Sequence, residues 1–412
     1  MEQWKCKRRS KIYCIMLTFI LLGTCVNNTF VYAQEVPDRG QAEDICLYAS
    51  AAALMDADSG RILYSKNGCE RKANASTTKI MTCIVALEYG TSDDIVTFSD
   101  LAAGQPNVQM NACAGEQYYL KDLLYALMLE SYNDVAVAIA EHIAGSVEAF
   151  SVIMNEKAEE LGAFDTHFVT PNGLDAEGHY TTACDLAKIA RYAIQNSEFL
   201  EICQMPAHIF SEINGKRNVT VTNHDGFLTM YEGAIGIKTG FTGNAGYCFV
   251  GAAKRDDKTL ISVVLASGWP PHKTYKWTDT KALMDYGMCN YSKQIILDDS
   301  FALPEIAVLN GIEAESVSVG FDSVVSEELL LQGTESIRYD LILPECIEAP
   351  VCRGDIAGEL DIYINDELYT SKVLLYSESV HEVNYRFIFL KLFYDYFTCY
   401  NCRYTDKIAL SN

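Results

Sequence analysis

The sequence predicts an α/β (α+β) domain, a sheet covered by helices, followed by a small all-β domain. Three observations carry this. Two short strand-like runs after residue 50 lead into a long block of apolar residues at helical spacing. From residue 206 the period shortens to that of strands, and one more helix closes the region. Beyond residue 300 short alternating segments separated by turn signals take over.

The first runs, 51–56 and 61–64, are joined through Asp58-Ser59-Gly60, a hairpin signal. A helix then starts at Ser76. Ile80, Ile84 and Leu87 repeat at helical spacing beside Met81 and Val85, and Gly90 supplies the stop. Leu123, Leu124, Leu127 and Met128 mark a helix over 120–129, and a second runs from the Ser131-Tyr132-Asn133 turn to about Ala144. Phe150, Ile153, Met154 and Leu161 mark another, closed by Gly162, and a further helix spans 181–194. Residues 217–222, 234–239, 246–253 and 259–266 read as strands of one sheet. The last helix of this part covers about 273–286, so the domain occupies 46–294. Segments such as Ser316-Val-Ser-Val319, with turns at Arg353-Gly354-Asp355 and Asn365-Asp366, assign 300–377 to the all-β domain.

The ends carry addresses. Lys5, Lys7, Arg8, Arg9 and Lys11 precede an apolar run over 12–26, and Val31 and Ala33 suit a cleavage after Ala33. Residues 1–33 are thus expected to be a signal peptide, 34–45 a polar linker, and the protein exported. In the tail, 380–412, Ile388, Phe389, Leu392, Phe393 and Tyr396 share one helical face, with Lys391, Asp395 and Thr398 opposite. The charges interrupt it too often for a membrane span; an amphipathic helix lying on the outer membrane face is the preferred expectation, with a helix packed against its own domain as the alternative.

The chain has 412 residues, 49% of them hydrophobic, enough for two packed domains and a tail. Its net charge of −23 excludes nucleic acid as a partner and broad adhesion to anionic lipid. Fifteen cysteines show no framework spacing, so most are expected to be small core residues. Cys399 and Cys402 form a lone C-x-x-C without the partners that zinc or redox chemistry needs.

Three short motifs carry the chemistry. In Ser76-x-x-Lys79 the two side chains share a helix face, so Lys79 could take the Ser76 proton if burial lowers its pKa. At the Ser131-Tyr132-Asn133 turn, Ser131 could relay a proton to a leaving amine and Asn133 could hold a substrate amide. Lys238 and Thr239 at a strand end could hold a carboxylate, and Gly240 leaves room for a peptide along the strand edge. Each motif alone is common. Ser65-Lys66-Asn67 repeats the Ser-x-Asn pattern, but it precedes Ser76 and lies in the hairpin. The ordered triple, in helix, turn and strand contexts, is far more specific.

With the triple, Thr166-His-Phe168, Pro171-Asn-Gly-Leu-Asp175, His179 with Thr181, and Gly236-Ile-Lys-Thr-Gly-Phe-Thr242 running into Ala245-Gly246-Tyr247 complete a resemblance. The chain resembles the serine-type D-alanyl-D-alanine carboxypeptidases, the low-molecular-weight penicillin-binding proteins. The likeness is strong over 46–290 and extends to the β-rich region and the tail. It implies a penicillin-binding/β-lactamase-like fold with a central antiparallel sheet. It implies removal of the terminal D-Ala from peptidoglycan pentapeptide stems through an acyl-enzyme, with β-lactam antibiotics as covalent inhibitors. Ser76 would be the nucleophile, Lys79 the base and Ser131 the proton relay. Asn133, Lys238, Thr239 and Gly240 would bind substrate, and the backbone N–H groups of Ser76 and Phe241 would form the oxyanion hole. No metal or cofactor is implied.

Departures stand at Tyr132, where the family often has a small residue, and at Asn172, where it often has His. No arginine for the substrate carboxylate is evident, and Lys273 or Lys276 could replace it. Asp175 and His179 read as loop-ordering residues. A β-lactamase would need a deacylating Glu-x-x-x-Asn motif, which the sequence lacks at the suitable place. A DD-endopeptidase or transpeptidase would share the motifs. A non-catalytic peptidoglycan-binding protein would have lost Ser76 or Lys79.

Overall fold

The computed structural model describes residues 45–106 and 108–408, with side chains described as far as Phe397. The expected signal peptide and the linker up to residue 44 lie outside the described residues, as do the side chains of Cys399 and Cys402.

Two strands, β1 (Ala51–Asp56) and β2 (Ile62–Lys66), form the first hairpin. Its turn is tied by the Asp56 carboxylate, which accepts from Asp58 N, Ser59 N and Ser59 Oγ. Gly60 takes φ +80°, the left-handed region that a side chain disfavours. Residues 75–78 form a 3-10 turn, and the helix Lys79–Tyr89 continues from it. The catalytic-motif serine therefore sits in a tight turn before the α-helix rather than within it. That helix is buried on every side from Lys79 to Ala86. A short hairpin of β3 (Ile95–Thr97) and β4 (Gln117–Tyr119) follows. The helix expected over 120–129 is α-helical over Leu120–Tyr125 and widens to a π turn over Ala126–Glu130. Helices Asn133–Ala144, Val147–Glu160, Ala183–Ala193 and Ser197–Gln204 complete the block.

Strands β5 (Ala207–Ser211) and β6 (Asn218–Thr222) pair only with each other. This corrects the expectation that 217–222 joins the main sheet. Alternation identifies a strand but not its partner, and both faces of β6 are not needed in the core: Val219 and Val221 point in, the others out. The central sheet is antiparallel, in the order β2-β1-β9-β8-β7, with β7 (Ala234–Thr242), β8 (Gly246–Arg255) and β9 (Lys258–Leu265). The helix Tyr275–Asn290 covers its second face.

Strand periodicity explains the layering. In β1, Ala51, Ala53 and Met55 face the helix block, while Ala52 and Leu54 face the Tyr275–Asn290 helix. β8 divides likewise: Cys248, Val250 and Ala252 on one side, Phe249 and Ala253 on the other. Both faces are covered, so β1 reads as a continuous apolar run.

The helix Tyr275–Asn290 passes directly into β10 (Tyr291–Asp298). Strands β11 (Glu305–Leu309), β12 (Ser316–Gly320), β13 (Ser326–Gln332), β14 (Ile337–Ile342), β15 (Cys346–Glu348), β16 (Ile356–Ile364) and β17 (Glu367–Tyr376) follow. β10 pairs with β13, and the other strands form a six-stranded sheet in the order β14-β16-β17-β12-β11-β15. Leu329, Leu331, Leu360, Ile362 and Leu374 fill the space between them. The Asn365-Asp366 turn has φ +51° and +65°, the geometry of a tight two-residue hairpin. This region is fastened to the first hairpin by Arg61. Its guanidinium donates to Leu330 O at 2.7 Å and forms a buried fork with the Glu335 carboxylate.

The tail is helical over Tyr385–Ile408. Its Lys391 and Asp395 stripe lies beside the 311–315 loop. Leu390, Tyr394 and Phe397 are exposed as well as the predicted face of Phe389, Leu392, Phe393 and Tyr396. The apolar surface is therefore wider than one face. Among the described residues, no single helix is long and apolar enough to cross a membrane.

Candidate active site

The turn before the Lys79–Tyr89 helix is shaped by close backbone approaches. Ala75 adopts φ +48°, and Gly173 (φ +77°) lies so near that a Cβ there would fall 2.0 Å from Ala75 O. From the other side comes β7. A Cβ on Gly240 would meet Ser76 N at 3.0 Å, Thr77 N at 3.1 Å and Asn74 O at 3.1 Å. A side chain there would force strand and serine turn apart by a few tenths of an ångström. The KTG motif is thus in the middle of β7, not at its end as expected from the sequence.

Ser76, Lys79 and Asn133 converge. Lys79 is fully buried, and its Nζ lies 2.9 Å from Ser76 Oγ, 2.9 Å from Asn133 Oδ1 and 2.7 Å from Asn172 O. Asn133 Nδ2 donates to Pro106 O at 3.1 Å, which fixes its carbonyl end toward the lysine. Burial drives the Lys79 pKa well below its ordinary value, and the nearby charge of Lys238 adds to the fall; Asp134 opposes it. Asn133 Oδ1 and Asn172 O can only accept, so they take two of the Nζ hydrogens, and Ser76 Oγ occupies the third position around the nitrogen. The contact puts the amine and the serine hydroxyl within reach of proton transfer.

Ser131 follows the π turn in a left-handed conformation, φ +65°. Its hydroxyl is buried and, among the described residues, has no hydrogen-bond partner. A left-handed non-glycine residue with an unsatisfied polar atom is costly, which makes Ser131 a candidate functional position. The segment is held from outside: Glu130 accepts from Thr222 N at 2.8 Å and pairs with His224 at 2.7 Å. The separate β5–β6 hairpin therefore braces the Ser131 turn. Asn133 N donates to Val108 O at 2.7 Å.

Lys238 is buried on β7, and its Nζ donates to Thr239 O at 3.3 Å. Burial lowers its pKa to about 8, partly offset by Asp225. Burial likewise raises Asp225 to about 6, and among the described residues its Oδ2 has no hydrogen-bond partner. Lys276 lies between the rings of Tyr247 and Trp277, and burial lowers it to about 8. Lys238, Asp225 and Lys276 feel one another's charge, whereas Lys273 is exposed. The Phe241 ring is partly exposed and packs on Tyr247.

His179 and Asp175 order loops, as the sequence suggests. His179 Nδ1 accepts from Val169 N at 3.0 Å, so Nε2 carries the hydrogen toward Thr78 Oγ1 at 2.9 Å. Burial lowers this imidazole to about 4, so it stays neutral. Asp175 accepts from Thr242 Oγ1 at 2.8 Å. Two members escaped the sequence reading. Asn172 contributes a backbone carbonyl, which no residue type advertises. Asp225 lay outside every motif, and only its burial beside two lysines marks it.

A buried lysine in contact with a serine, on a helix packed under an antiparallel sheet, places this chain among the penicillin-binding proteins. Over 83% of this chain and 100% of the other, it superposes on penicillin-binding protein 5 from Haemophilus influenzae with TM-score 0.68 and 27% identity. A DD-transpeptidase from Streptomyces superposes over 60% of this chain and 99% of its own, with TM-score 0.56 and 33% identity. The D-alanyl-D-alanine carboxypeptidase DacF of Bacillus subtilis is 28% identical over 90% of this chain and 95% of its own. Residues 39–268, more than half of the chain, match the D-alanyl-D-alanine carboxypeptidase family, and the chain belongs to that family.

Proposed function

We propose that the protein is an exported serine D-alanyl-D-alanine carboxypeptidase that trims the terminal D-Ala from peptidoglycan pentapeptide stems and is acylated by β-lactams. The single supporting observation is the three-way contact of Lys79 Nζ with Ser76 Oγ and two pure acceptors. Ser76 Oγ attacks the D-Ala-D-Ala carbonyl as its proton passes to Lys79. The N–H groups of Ser76 and Phe241, on the two sides of the Gly240 contact, hold the oxyanion. Ser131 hands a proton to the departing amine, and water then hydrolyses the acyl ester. Asn133 orients the substrate amide. The peptide lies along β7 beside Thr239 and Gly240, with its terminal carboxylate toward Lys238. Of the two lysines that could take the place of an arginine, Lys276 is favoured by its burial near Lys238.

A labelled penicillin should attach to Ser76 and fail to attach to Ser76→Ala, and a synthetic pentapeptide should release D-Ala. Labelling without D-Ala release would overturn the carboxypeptidase reading in favour of a transpeptidase or endopeptidase. Rapid loss of the label would indicate a β-lactamase. The tail helix, with its broad exposed aromatic surface, lies on the outer face of the cell membrane. Detergent should then release the enzyme from membranes. Release by salt alone would count against an apolar attachment.

A further inference from the structure

The sequence reading expected most cysteines to be core residues. Of the ten cysteines whose side chains are described, Cys83, Cys184, Cys203 and Cys248 are buried and the rest are exposed. One exposed and one buried cysteine meet at the segment that leads into the Ser76 turn. After β2, the chain reverses at Asn67 (φ +48°), with Glu70 N donating to Asn67 O at 3.0 Å. Cys69 is on this exposed turn. Cys184 is in the first turn of the Ala183–Ala193 helix. Two backbone links clamp the segments together: Cys184 N donates to Gly68 O at 3.0 Å, and Lys72 and Thr181 exchange bonds of 2.7 and 3.0 Å.

With standard bond lengths, the first link holds the Cα atoms of Cys69 and Cys184 roughly 5–7 Å apart, the separation that disulfides span. Gly68 lets the sulfur come in. A Cβ there would lie 2.7 Å from Cys184 Sγ and 2.3 Å from Ser65 Oγ. The Cys184 thiol is flanked by the side chains of Ser65 and Cys69, and burial together with Cys69 pushes it up to about 12. The exposed thiol is thus the one that reacts first, and the buried one resolves.

We propose that Cys69 and Cys184 form a disulfide outside the cytoplasm, clamping the segment that leads into the Ser76 turn against the Ala183–Ala193 helix. The oxidant is a disulfide of an exchange protein or a small thiol compound. The Cys69 thiolate attacks one of its sulfurs and expels the other as a thiolate, leaving a mixed disulfide. The Cys184 thiolate then attacks Cys69 Sγ and expels the second thiolate. The chain gives up two electrons and two protons, and the reagent leaves as two thiols. The bond closes a loop of about 115 residues that contains Ser76, Lys79, Ser131 and Asn133.

The test exposes the purified, reduced chain to oxidised glutathione, followed by peptide mapping without reduction and by thermal unfolding. A Cys69–Cys184 cross-linked peptide is expected, with no glutathione retained on Cys69. The melting temperature should rise by about 5–10 °C over the reduced chain. Cys69→Ser, a change at an exposed position, should give neither the link nor the rise. Cys184→Ala serves as a second control and should leave glutathione on Cys69. Glutathione persisting on Cys69 of the unsubstituted chain, with Cys184 still alkylatable after unfolding, would overturn the proposal. A link that forms without raising the melting temperature would overturn the clamp.

Discussion

Replacing Gly240 with alanine tests whether the gap between β7 and the Ser76 turn is the oxyanion site. The added Cβ would sit 3.0 Å from Ser76 N, 3.1 Å from Thr77 N and 3.1 Å from Asn74 O, all backbone atoms. Comfortable contact begins near 3.5 Å, so strand and turn must separate by about 0.5 Å. A catalytic donor must stay within about 2.7–3.1 Å of the oxyanion. The two donors proposed here, Ser76 N–H and Phe241 N–H, lie on opposite walls of that gap, so the widening takes one of them out of range. Loss of one such donor costs about 10²–10³ in rate. A partial loss should lower the second-order rate of penicillin acylation about 10- to 100-fold. Stability should change much less. Overpacking costs about 1–3 kcal/mol, and the stiffer unfolded chain returns up to about 1 kcal/mol. The assay is stopped-flow acylation by a fluorescent penicillin, with thermal unfolding in parallel. A folded variant acylating within twofold of the parent would refute the argument.

Other perturbations bear on separate parts of the site. Lys79→Met should slow acylation by about 10²–10⁴, as expected for loss of a general base, while leaving noncovalent substrate binding measurable by calorimetry. The second-order acylation rate should fall as pH rises through about 8, where Lys238 loses its proton, and Lys238→Arg should move that limb above pH 10. An unmoved limb would remove Lys238 from the assignment. The same lysine burdens the fold: its folded pKa is below its unfolded one, so the penalty is full below pH 8 and disappears above about 10.5. Lys238→Met should therefore be more stable at pH 7, by up to about 3 kcal/mol, and lose that advantage in alkaline urea titrations. Arg61→Ala leaves the Glu335 carboxylate buried without its guanidinium and should cost about 3–5 kcal/mol in denaturant unfolding.

Much of this was readable from residue order. The helical periods before residue 194 and the hairpin turns at Gly60 and Asn365-Asp366 follow from local signals, while the meeting of Asn133 with Ser76 and Lys79 is expected only from the ordered triple and the family likeness. What escaped depends on partners. Asn218–Thr222 alternates as a strand must, yet nothing in that alternation says that it pairs with Ala207–Ser211. The third contact of Lys79 is a carbonyl oxygen, present on every residue, so its place at Asn172 needed the fold. Cys69 and Cys184 are far apart in sequence and follow no spacing rule; the backbone links at Gly68 and Lys72 bring them together. The tail's surface was underestimated because one helical face was counted, while Leu390, Tyr394 and Phe397 lie outside it.

The position of β7 at the open margin of the central sheet has a further consequence. An unpaired margin accepts any extended chain, so backbone pairing alone cannot distinguish the last residue of a peptide from one in mid-chain. With Lys238 in its proposed role, charge contributes to that discrimination. A free C-terminus would bring a negative group that relieves the desolvated ammonium of Lys238, whereas an uninterrupted chain would bring none. The resulting preference for chain ends should weaken in alkaline solution as the ammonium disappears.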